Sequence, residues 1–501
     1  MSVSLSKSLY IKGLQCQKAL WLEKHNKAVL TLPGAAAMAT IEEGNAVGSL
    51  ACALFPGGRK ITTKSISLSQ KVVLTQKWIN EGVHDIYEAT FEFDGVLVMV
   101  DILHKNADGS FEIYEVKSST KAKDIFKQDV SIQYYVLNGL GYDVSDVYIT
   151  ILNTDFVRSG ELDIKQLFTH VKVTSDVLAL QGDIPANLGK FRDLLTDGLN
   201  EPDIDIGWHC KNPHECDAMD YCWQQQRGIP EYSVFNIFSL TKTSKALGLY
   251  QQGIVDIKDI PDDMKLTDKQ KAKVDAWKAQ KGVVNKGAIK SFVDFINYPI
   301  YHFDFETLGP AIPSFKGMQP YEKYPFQYSL HIEQEDGSLE HKEYLAIPGQ
   351  DPREEIVKRM VEDIPKDACV MAFNISFEKS IIRTLADNCP VYAGHLMNIH
   401  DNFIDLAIPF KNGDYWMPSM QNHYGLKYAL PATVPEMKKA YDDLDGVQNG
   451  EDAMRMFVHL GEATDVDEIT KTKKALLEYC KLDTYAMVKI LKELRRLVKN
   501  L

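Results

Sequence analysis

Two strand-like runs flank a polar turn within residues 96–117, VLVMVDILHKNADGSFEIYEVK. The turn is Ala107-Asp108-Gly109, with glycine last, where a three-residue hairpin loop needs a left-handed residue. That loop pairs Asn106 with Ser110, and counting outward sets Asp101 opposite Glu115. Upstream, Asp94-Gly95 signals a two-residue hairpin. It pairs Phe93 with Val96 and sets Glu88 opposite Asp101. The expected product is a three-stranded meander with Glu88, Asp101 and Glu115 in one row. Side chains alternate along a strand, so Lys117 shares the face of Glu115 while Val116 points away.

Three further stretches carry strong patterns. In residues 300–308, IYHFDFETL, Asp304 and Glu306 fall on one face of a strand and Phe303 and Phe305 on the other. Residues 369–386, CVMAFNISFEKSIIRTLA, read as an apolar strand running into an amphipathic helix. Ser376 is the expected N-cap, with Glu378 in the first turn, where an acid is favourable. Residues 476–494, LLEYCKLDTYAMVKILKEL, predict a helix with Tyr479 and Asp483 on one face. Residues 239–280 predict a short helix, a Gly-Ile turn and a Lys-rich helix, a pattern similar to a helix-hairpin-helix. The turn amides of such a motif bind a nucleic-acid phosphate without reading sequence. A helical linker is the equal alternative.

The chain has 501 residues and 45% hydrophobic content, enough for two or three domains with separate cores. No apolar run is long enough to span a bilayer, and the first residues lack the apolar core of a signal peptide. These features predict a cytoplasmic chain with no membrane partner. The net charge is −13, so any nucleic-acid contact must come from local basic patches. Residues 264–290 form one, with eight Lys against two Asp.

The acids suggest chemistry. Three carboxylates in a row repel one another unless a cation sits among them. Oxygen-only ligands suit Mg²⁺ or Mn²⁺. Lys117 could then stabilise charge developing on a phosphate. In the second set, Asp304, Glu306, Glu378 and Asp483 could converge on two divalent ions, which clamp the attacking and leaving oxygens of an in-line displacement. Asp405 is an alternative acid to Glu378. Tyr479 could orient the attacking water. Eight cysteines do not make a disulfide framework in a chain this long. Cys210, Cys216 and Cys222 sit at six-residue steps in a polar segment, and Cys16 is the natural fourth thiolate. Thiolates select an iron–sulfur cluster or zinc. Zinc with His209 or His214 as a ligand is the alternative. Cys52, Cys369, Cys389 and Cys480 read as core thiols.

With Cys16, Asp101, Glu115-Val-Lys117, Gln133 in DVSIQYYVL and the three late cysteines, residues 1–228 resemble a RecB-like nuclease domain. That domain belongs to the PD-(D/E)xK, restriction-endonuclease-like superfamily, in the subgroup with an iron–sulfur staple. The resemblance implies a 4Fe-4S cluster on Cys16, Cys210, Cys216 and Cys222, and a substrate-orienting role for Gln133. The chain departs from that pattern at Asn45, where members often carry a metal-ligating His, with Glu43 nearby. It departs again at Leu137, where members often carry Tyr, with Tyr134 and Tyr135 adjacent.

Residues 291–501 resemble the DEDD exonucleases of the RNase H-like superfamily, in the version with Tyr four residues before the last Asp. Asp304, Glu306, Tyr479 and Asp483 match, and Glu378 stands where the second motif normally has Asp. Residues 229–290 form the helical connector. The whole order resembles a bacterial family that carries both nuclease domains in one α/β chain. LSKSLYIKGLQCQKALWL, ILNTDFVRSGELDIKQLF and NHYGLKYALPA look like its recurrent segments. The resemblance implies a metal-dependent nuclease acting on DNA or RNA, with a 3′–5′ exonuclease centre in the C-terminal part. The alternative is a nucleic-acid-binding protein with one or both centres degenerate.

Overall fold

The computed structural model describes residues 4–62, 66–196, 200–238, 240–242 and 244–499. It is a mixed α/β structure that divides into two compact units. Unit 1 comprises residues 1–229 with 310–321, and unit 2 comprises residues 230–309 with 322–501.

Unit 1 is built on one seven-stranded sheet. Its strands are β1 (Leu5–Ser6), β2 (Arg59–Lys60), β3 (Asp85–Phe93), β4 (Val96–Lys105), β5 (Phe111–Val116), β6 (Val144–Leu152) and β7 (Phe168–Lys172). The order is β2-β3-β4-β5-β6-β7, with β1 also paired to β4. Both hairpins have the register that the turn residues predict. Phe93 pairs with Val96 across Asp94 and Gly95, both left-handed (φ 48° and 64°), as a type I′ turn requires. Ile102 pairs with Tyr114, and one step on brings Asp101 opposite Glu115. β5 and β6 run parallel, joined by the crossover helix that carries Gln133.

Five helices matter for the site of unit 1. They are α1 (Lys7–Gln15), α2 (Gln17–His25), α3 (Ala35–Ala51), α4 (Leu68–Asn80) and α5 (Asp124–Gly139). α5 buries Val130, Ile132, Val136 and Leu137 in a core shared with Val98, Val100, Ile113 and Ile149 of the sheet. This packing explains Leu137: the position faces the core and is fully buried. The opposite face packs Tyr87, Ile102, Tyr114 and Phe168 against Val47 and Ala51 of α3.

Unit 2 contains a two-stranded ribbon, β8 (Val283–Val284) with β14 (Tyr415–Trp416), and a five-stranded sheet. The sheet strands are β9 (Ile300–Leu308), β10 (Tyr324–Glu333), β11 (Leu339–Leu345), β12 (Cys369–Ala372) and β13 (Phe403–Asp405). Their order is β11-β10-β9-β12-β13. The first three are antiparallel, and β12 runs parallel to both β9 and β13. β9 alternates as its sequence predicts. Tyr301, Phe303 and Phe305 join the core under residues 353–363 and 376–388. The polar face of β9 lies under a 33-residue helix, Val466–Val498.

The connector drawn at 229–290 shares the core of unit 2. Ile257, Ile260, Val274 and Ile289 pack in one cluster with Phe326, Trp416 and Leu476. It comprises a helix at Lys245–Gln251, a left-handed Gly253 (φ 78°) and the Lys-rich helix α6 (Asp268–Lys278). Ser239 and Thr243 of that segment lie outside the described residues. Two more helices position the second set of acids, α7 (Ser376–Asn388) and α8 (Val466–Val498). Ser376 is the first residue of α7, and Ile375 occupies the cap position without a side-chain hydrogen bond. The left-handed Asn374 (φ 73°) makes the turn one residue earlier than the Ser376 cap would require. Among the described residues, no helix is long and apolar enough to cross a membrane.

Candidate functional site

In unit 1 the hairpin register delivers Asp101 and Glu115 to one locus. Asp101 Oδ2 accepts the Val116 N–H at 2.7 Å. Glu115 is buried, and three donors reach it. Lys7 Nζ and Lys117 Nζ each donate to Oε1 at 2.8 Å, and Gln133 Nε2 donates to Oε2 at 2.6 Å. Lys117 also donates to Asp129 Oδ2 at 2.6 Å, and Lys7 lies 3.3 Å from the same atom. Asp129 and Gln133 are one turn apart on α5, which is how both reach Glu115.

The charges follow this geometry. Burial alone would raise the Glu115 pKa, but Lys117 and then Lys7 outweigh it and hold the carboxyl well below its usual range. Asp101 is pushed up to about 7, first by burial and then by Glu115. Glu88 follows the same direction, with burial as the main cause. It stands opposite Asp101 by count, between the pairs Tyr87–Ile102 and Ala89–Val100, in a left-handed conformation (φ 59°). Such a backbone costs a non-glycine residue energy and is typical of functional positions. Asn45 is exposed on α3, and Glu43 accepts the Ala311 N–H at 2.7 Å. Neither is bonded to Glu115.

Also in unit 1, Cys16, Cys210, Cys216 and Cys222 line one small cavity, and His209 lines it too. His214 is exposed. Among the described residues, no three of these thiols lie within 4.8 Å of one another. Tetrahedral zinc at a Zn–S distance of about 2.3 Å needs sulfurs about 3.8 Å apart. Burial pushes the thiols of Cys216 and Cys222 up to about 12 and about 11. Cys210 moves down instead, because His209 and the Gly207 N–H outweigh its burial. Four thiols around one cavity suit a metal cluster, and loading it would release their protons.

In unit 2 the acids gather without a paired cation among the described residues. β9 projects Asp304 and Glu306 beyond the point where β12 pairing ends at His302. They therefore sit where the sheet opens, the usual position for a ligand crevice in such sheets. α8 brings Tyr479, Cys480 and Asp483 over them. Ligand atoms of Asp304, Glu306 and Cys480 lie within 4.8 Å of one another. The Cys480 Sγ is 3.9 Å from Asp304 Oδ2. Glu378, in the first turn of α7, is buried with its Oε2 unpartnered, and its charge is felt at Asp304. Asp405 is engaged elsewhere: it accepts from the N–H groups of Asn374 and Ala407 and from Lys411 Nζ at 2.8–2.9 Å. The geometry thus separates the two candidate acids and gives Asp405 a structural task.

Asp405 pairs with Lys411, whereas Asp304, Glu306, Glu378 and Asp483 form no ion pair among the described residues. Burial, then Asp483, Glu306 and Glu378, raise Asp304 well above its usual range. Burial, then Asp483, does the same to Glu306. Burial pushes Glu378 up to about 7 and Asp483 up to about 6. The Tyr441 hydroxyl donates to Asp483 Oδ1 at 2.5 Å and limits that rise. Lys427 lies over the rings of Tyr441 and Tyr479, near enough to favour the charge on Asp483 and Glu306. A polar seam fixes α8 on β10. Gln327 Nε2 donates to the Leu476 carbonyl at 2.8 Å, and the Thr484 hydroxyl meets Ser329 and His331 at 2.8 and 2.7 Å. Beside Glu306 opens a cleft of about 510 Å³, lined by Phe305, Phe377, Lys323, Asn449 and Met454 among others.

A family model described as a domain of unknown function (DUF2779) matches residues 301–425. That span contains Asp304, Glu306 and Glu378 and stops short of Tyr479 and Asp483. No curated protein matches the chain.

Lys7, Asp129, Lys427, Tyr441 and Cys480 are functional candidates that the sequence patterns did not single out. Asp129 had a usable signal, four residues before Gln133 on one helix face. Cys480 adjoins Tyr479. Lys7, Lys427 and Tyr441 reach their partners only through tertiary structure.

Proposed function

We propose that this protein is a metal-dependent nuclease whose principal centre is in unit 2. The observation that carries the reading is that Asp304 and Glu306 lie together, with Asp483 and Glu378 near enough for their charges to be felt at Asp304, and that none of the four has a paired cation among the described residues. Four carboxylates, Glu306, Glu378 and Asp483 buried and Asp304 partly so, repel one another, and divalent ions of the Mg²⁺ or Mn²⁺ class relieve that repulsion. Asp304, Glu306, Glu378 and Asp483 would hold the ions. Such ions supply a nucleophile at neutral pH and neutralise charge on a phosphoryl group. Tyr479, beside Asp483 on α8, would orient the attacking water.

The neighbouring cleft suits a strand end: Phe377 offers a face for a base, and Lys323, 4.7 Å from that ring, offers charge for a phosphate. The antiparallel β9-β10-β11 meander flanked by parallel β12 and β13 agrees with an RNase H-like domain. The αβ sheet of unit 1 with its Glu115-Val-Lys117 strand agrees with a RecB-like one. The four thiols around one cavity would hold an iron–sulfur cluster, with zinc on thiolates and His209 as the alternative.

A second reading is favoured for unit 1 alone. Glu115 already accepts from two lysines and a glutamine, so three of its roughly four lone-pair sites are taken. Unit 1 then acts chiefly in nucleic-acid binding unless an ion displaces a lysine.

The test is cleavage of end-labelled single-stranded and duplex DNA and RNA in Mn²⁺ or EDTA, by the parent and by Asp304→Asn and Glu115→Gln. The reading expects Mn²⁺-dependent shortening from 3′ ends that Asp304→Asn abolishes and Glu115→Gln largely spares. Intact substrates throughout, or cleavage indifferent to Asp304, would reject it.

A further inference from the structure

Helix α1 has chemistry at both ends. Its first residue, Lys7, donates to Glu115 Oε1 at 2.8 Å and lies 3.3 Å from Asp129 Oδ2. The residue capping its other end is Cys16, one of the four clustered thiols. That end is tied to the cysteine-bearing loop. Gln15 Nε2 donates to the carbonyls of His209 and His214 at 2.9 and 2.8 Å. Lys12 Nζ bridges Glu23 and Asp217, both at 2.7 Å. Gly13 sits so close to Phe191 that a Cβ would come within 2.8 Å of the ring. A helix rises about 1.5 Å per residue, so this fixed end is linked rigidly to Lys7 over only about 13 Å.

We propose that Lys7 is a resident counter-cation of the unit 1 centre, seated on Glu115 and Asp129 where a divalent ion would bind, and held there by the cysteine-anchored helix α1. The proposal rests on reading Asp101 and Glu115 as metal ligands. With Asp101, Glu115 and Asp129 all ionised, as a bound metal would require, the acids carry three negative charges against the two positive ones of Lys7 and Lys117, leaving one negative charge for an incoming ion. Lys117 belongs to the same strand run as Glu115 and stays with it. Lys7 comes from a separate element, so it is the cation that can leave. Removing it doubles the negative charge facing a metal and frees a lone pair of Oε1. The thiol cluster fixes the far end of α1 and thereby governs how readily this centre takes a metal. Gln133, fully buried with Oε1 unpartnered, supplies a further oxygen at the same locus.

The experiment is a Mn²⁺ titration of the full chain followed by electron paramagnetic resonance. Asp304→Asn and Asp483→Asn are present throughout to remove the unit 2 centre. Iron and zinc analysis checks that cysteine-bound metal is unchanged. Lys7→Gln should tighten Mn²⁺ binding at least tenfold, Lys7→Arg should stay at the parent affinity, and Glu115→Gln should abolish binding. Lys12→Met leaves Lys7 and all four thiols in place but unties α1 from Asp217. It should tighten binding by a smaller factor. Unchanged or weaker binding in Lys7→Gln, with Glu115 still required, overturns the counter-cation role. Tightening by Lys7→Gln without any effect of Lys12→Met overturns the coupling through α1. Binding that ignores Glu115, or none in any variant, overturns the metal-ligand reading of unit 1 and this proposal with it, while the unit 2 reading stands or falls on Asp304 alone.

Discussion

Mn²⁺ added to the metal-free protein at pH 8 should raise the melting temperature of unit 2 by about 5–11 °C. An ion that binds only the folded state adds about 2.7 kcal/mol at one hundred times its dissociation constant. In a unit of this size each kcal/mol moves the melting temperature by about 2–4 °C, which gives that range. The sign of the pH dependence follows from the acids. A carboxyl with a raised folded-state pKa binds more protons folded than unfolded. Its contribution to stability therefore falls as pH climbs from its ordinary value to the raised one. For Glu378 that window runs from 4.5 to about 7, and for Asp483 from 3.8 to about 6. Below it, protons neutralise the centre and compete with the ion. Above it, the ion relieves repulsion that Lys427 and the Tyr441 hydroxyl offset only in part. The Mn²⁺ shift should thus be large at pH 8 and small at pH 5. Calorimetric melts in Mn²⁺ against EDTA at both pH values, on the parent and on an Asp304→Asn, Asp483→Asn variant, measure it. An equal rise in that variant, or a larger rise at pH 5, would refute the reasoning.

Tyr479→Phe should lower the Mn²⁺-dependent cleavage rate by about 10²-fold with ion affinity kept, as loss of a water-orienting group predicts, measured by single-turnover kinetics and Mn²⁺ titration. In EDTA at pH 8, Glu115→Gln should destabilise by about 3 kcal/mol, because Lys7 and Lys117 lose a buried partner. Asp304→Asn should stabilise by about 1 kcal/mol, because it removes like-charge repulsion; urea melts read both signs. Cys16→Ser should lose the metal bound by the cysteine cavity, seen by elemental analysis and as loss of any brown absorbance, and should lower the melting temperature of unit 1. Thr484→Val should cost about 1–3 kcal/mol, since Ser329 and His331 lose a buried partner, again by urea melts.

Local chemistry made much of this legible. Asp94-Gly95 and Gly109 set both hairpin registers, and from those registers the Asp101–Glu115 juxtaposition follows by counting. Alternation in β9 put Asp304 and Glu306 on one face, and helical spacing did the same for Tyr479 and Asp483. The choice between Glu378 and Asp405 was not legible. It depends on which carboxyl the backbone N–H groups of Asn374 and Ala407 consume, a matter of three-dimensional turn geometry. Ser376 failed as a cap for the same reason, since the left-handed Asn374 begins the turn early. Lys7 was illegible because 108 residues separate it from Glu115, and no periodicity spans such a distance.

The two centres handle the same electrostatic problem differently, and the difference has a physical consequence. Unit 1 buries acids beside lysines, so its folded state is charge-compensated before any ion arrives. Under the proposed reading, any metal affinity there would be reduced by the work of displacing an ammonium, and the fold would depend less on metal. Unit 2 places its acids beside a neutral thiol and two tyrosine hydroxyls, which polarise but do not compensate, and near one lysine, Lys427, that forms no ion pair with them among the described residues. Its apo state carries the repulsion, which the polar seam of Gln327, Ser329, His331 and Thr484 must withstand to keep α8 seated. That seam consists of hydrogen bonds that hold α8 in one register on β10, where an apolar interface would allow it to slide. A helix held in that way keeps Asp483 over Asp304 without an ion, so under the proposed function the centre would be ready to bind ions rather than assembled by them.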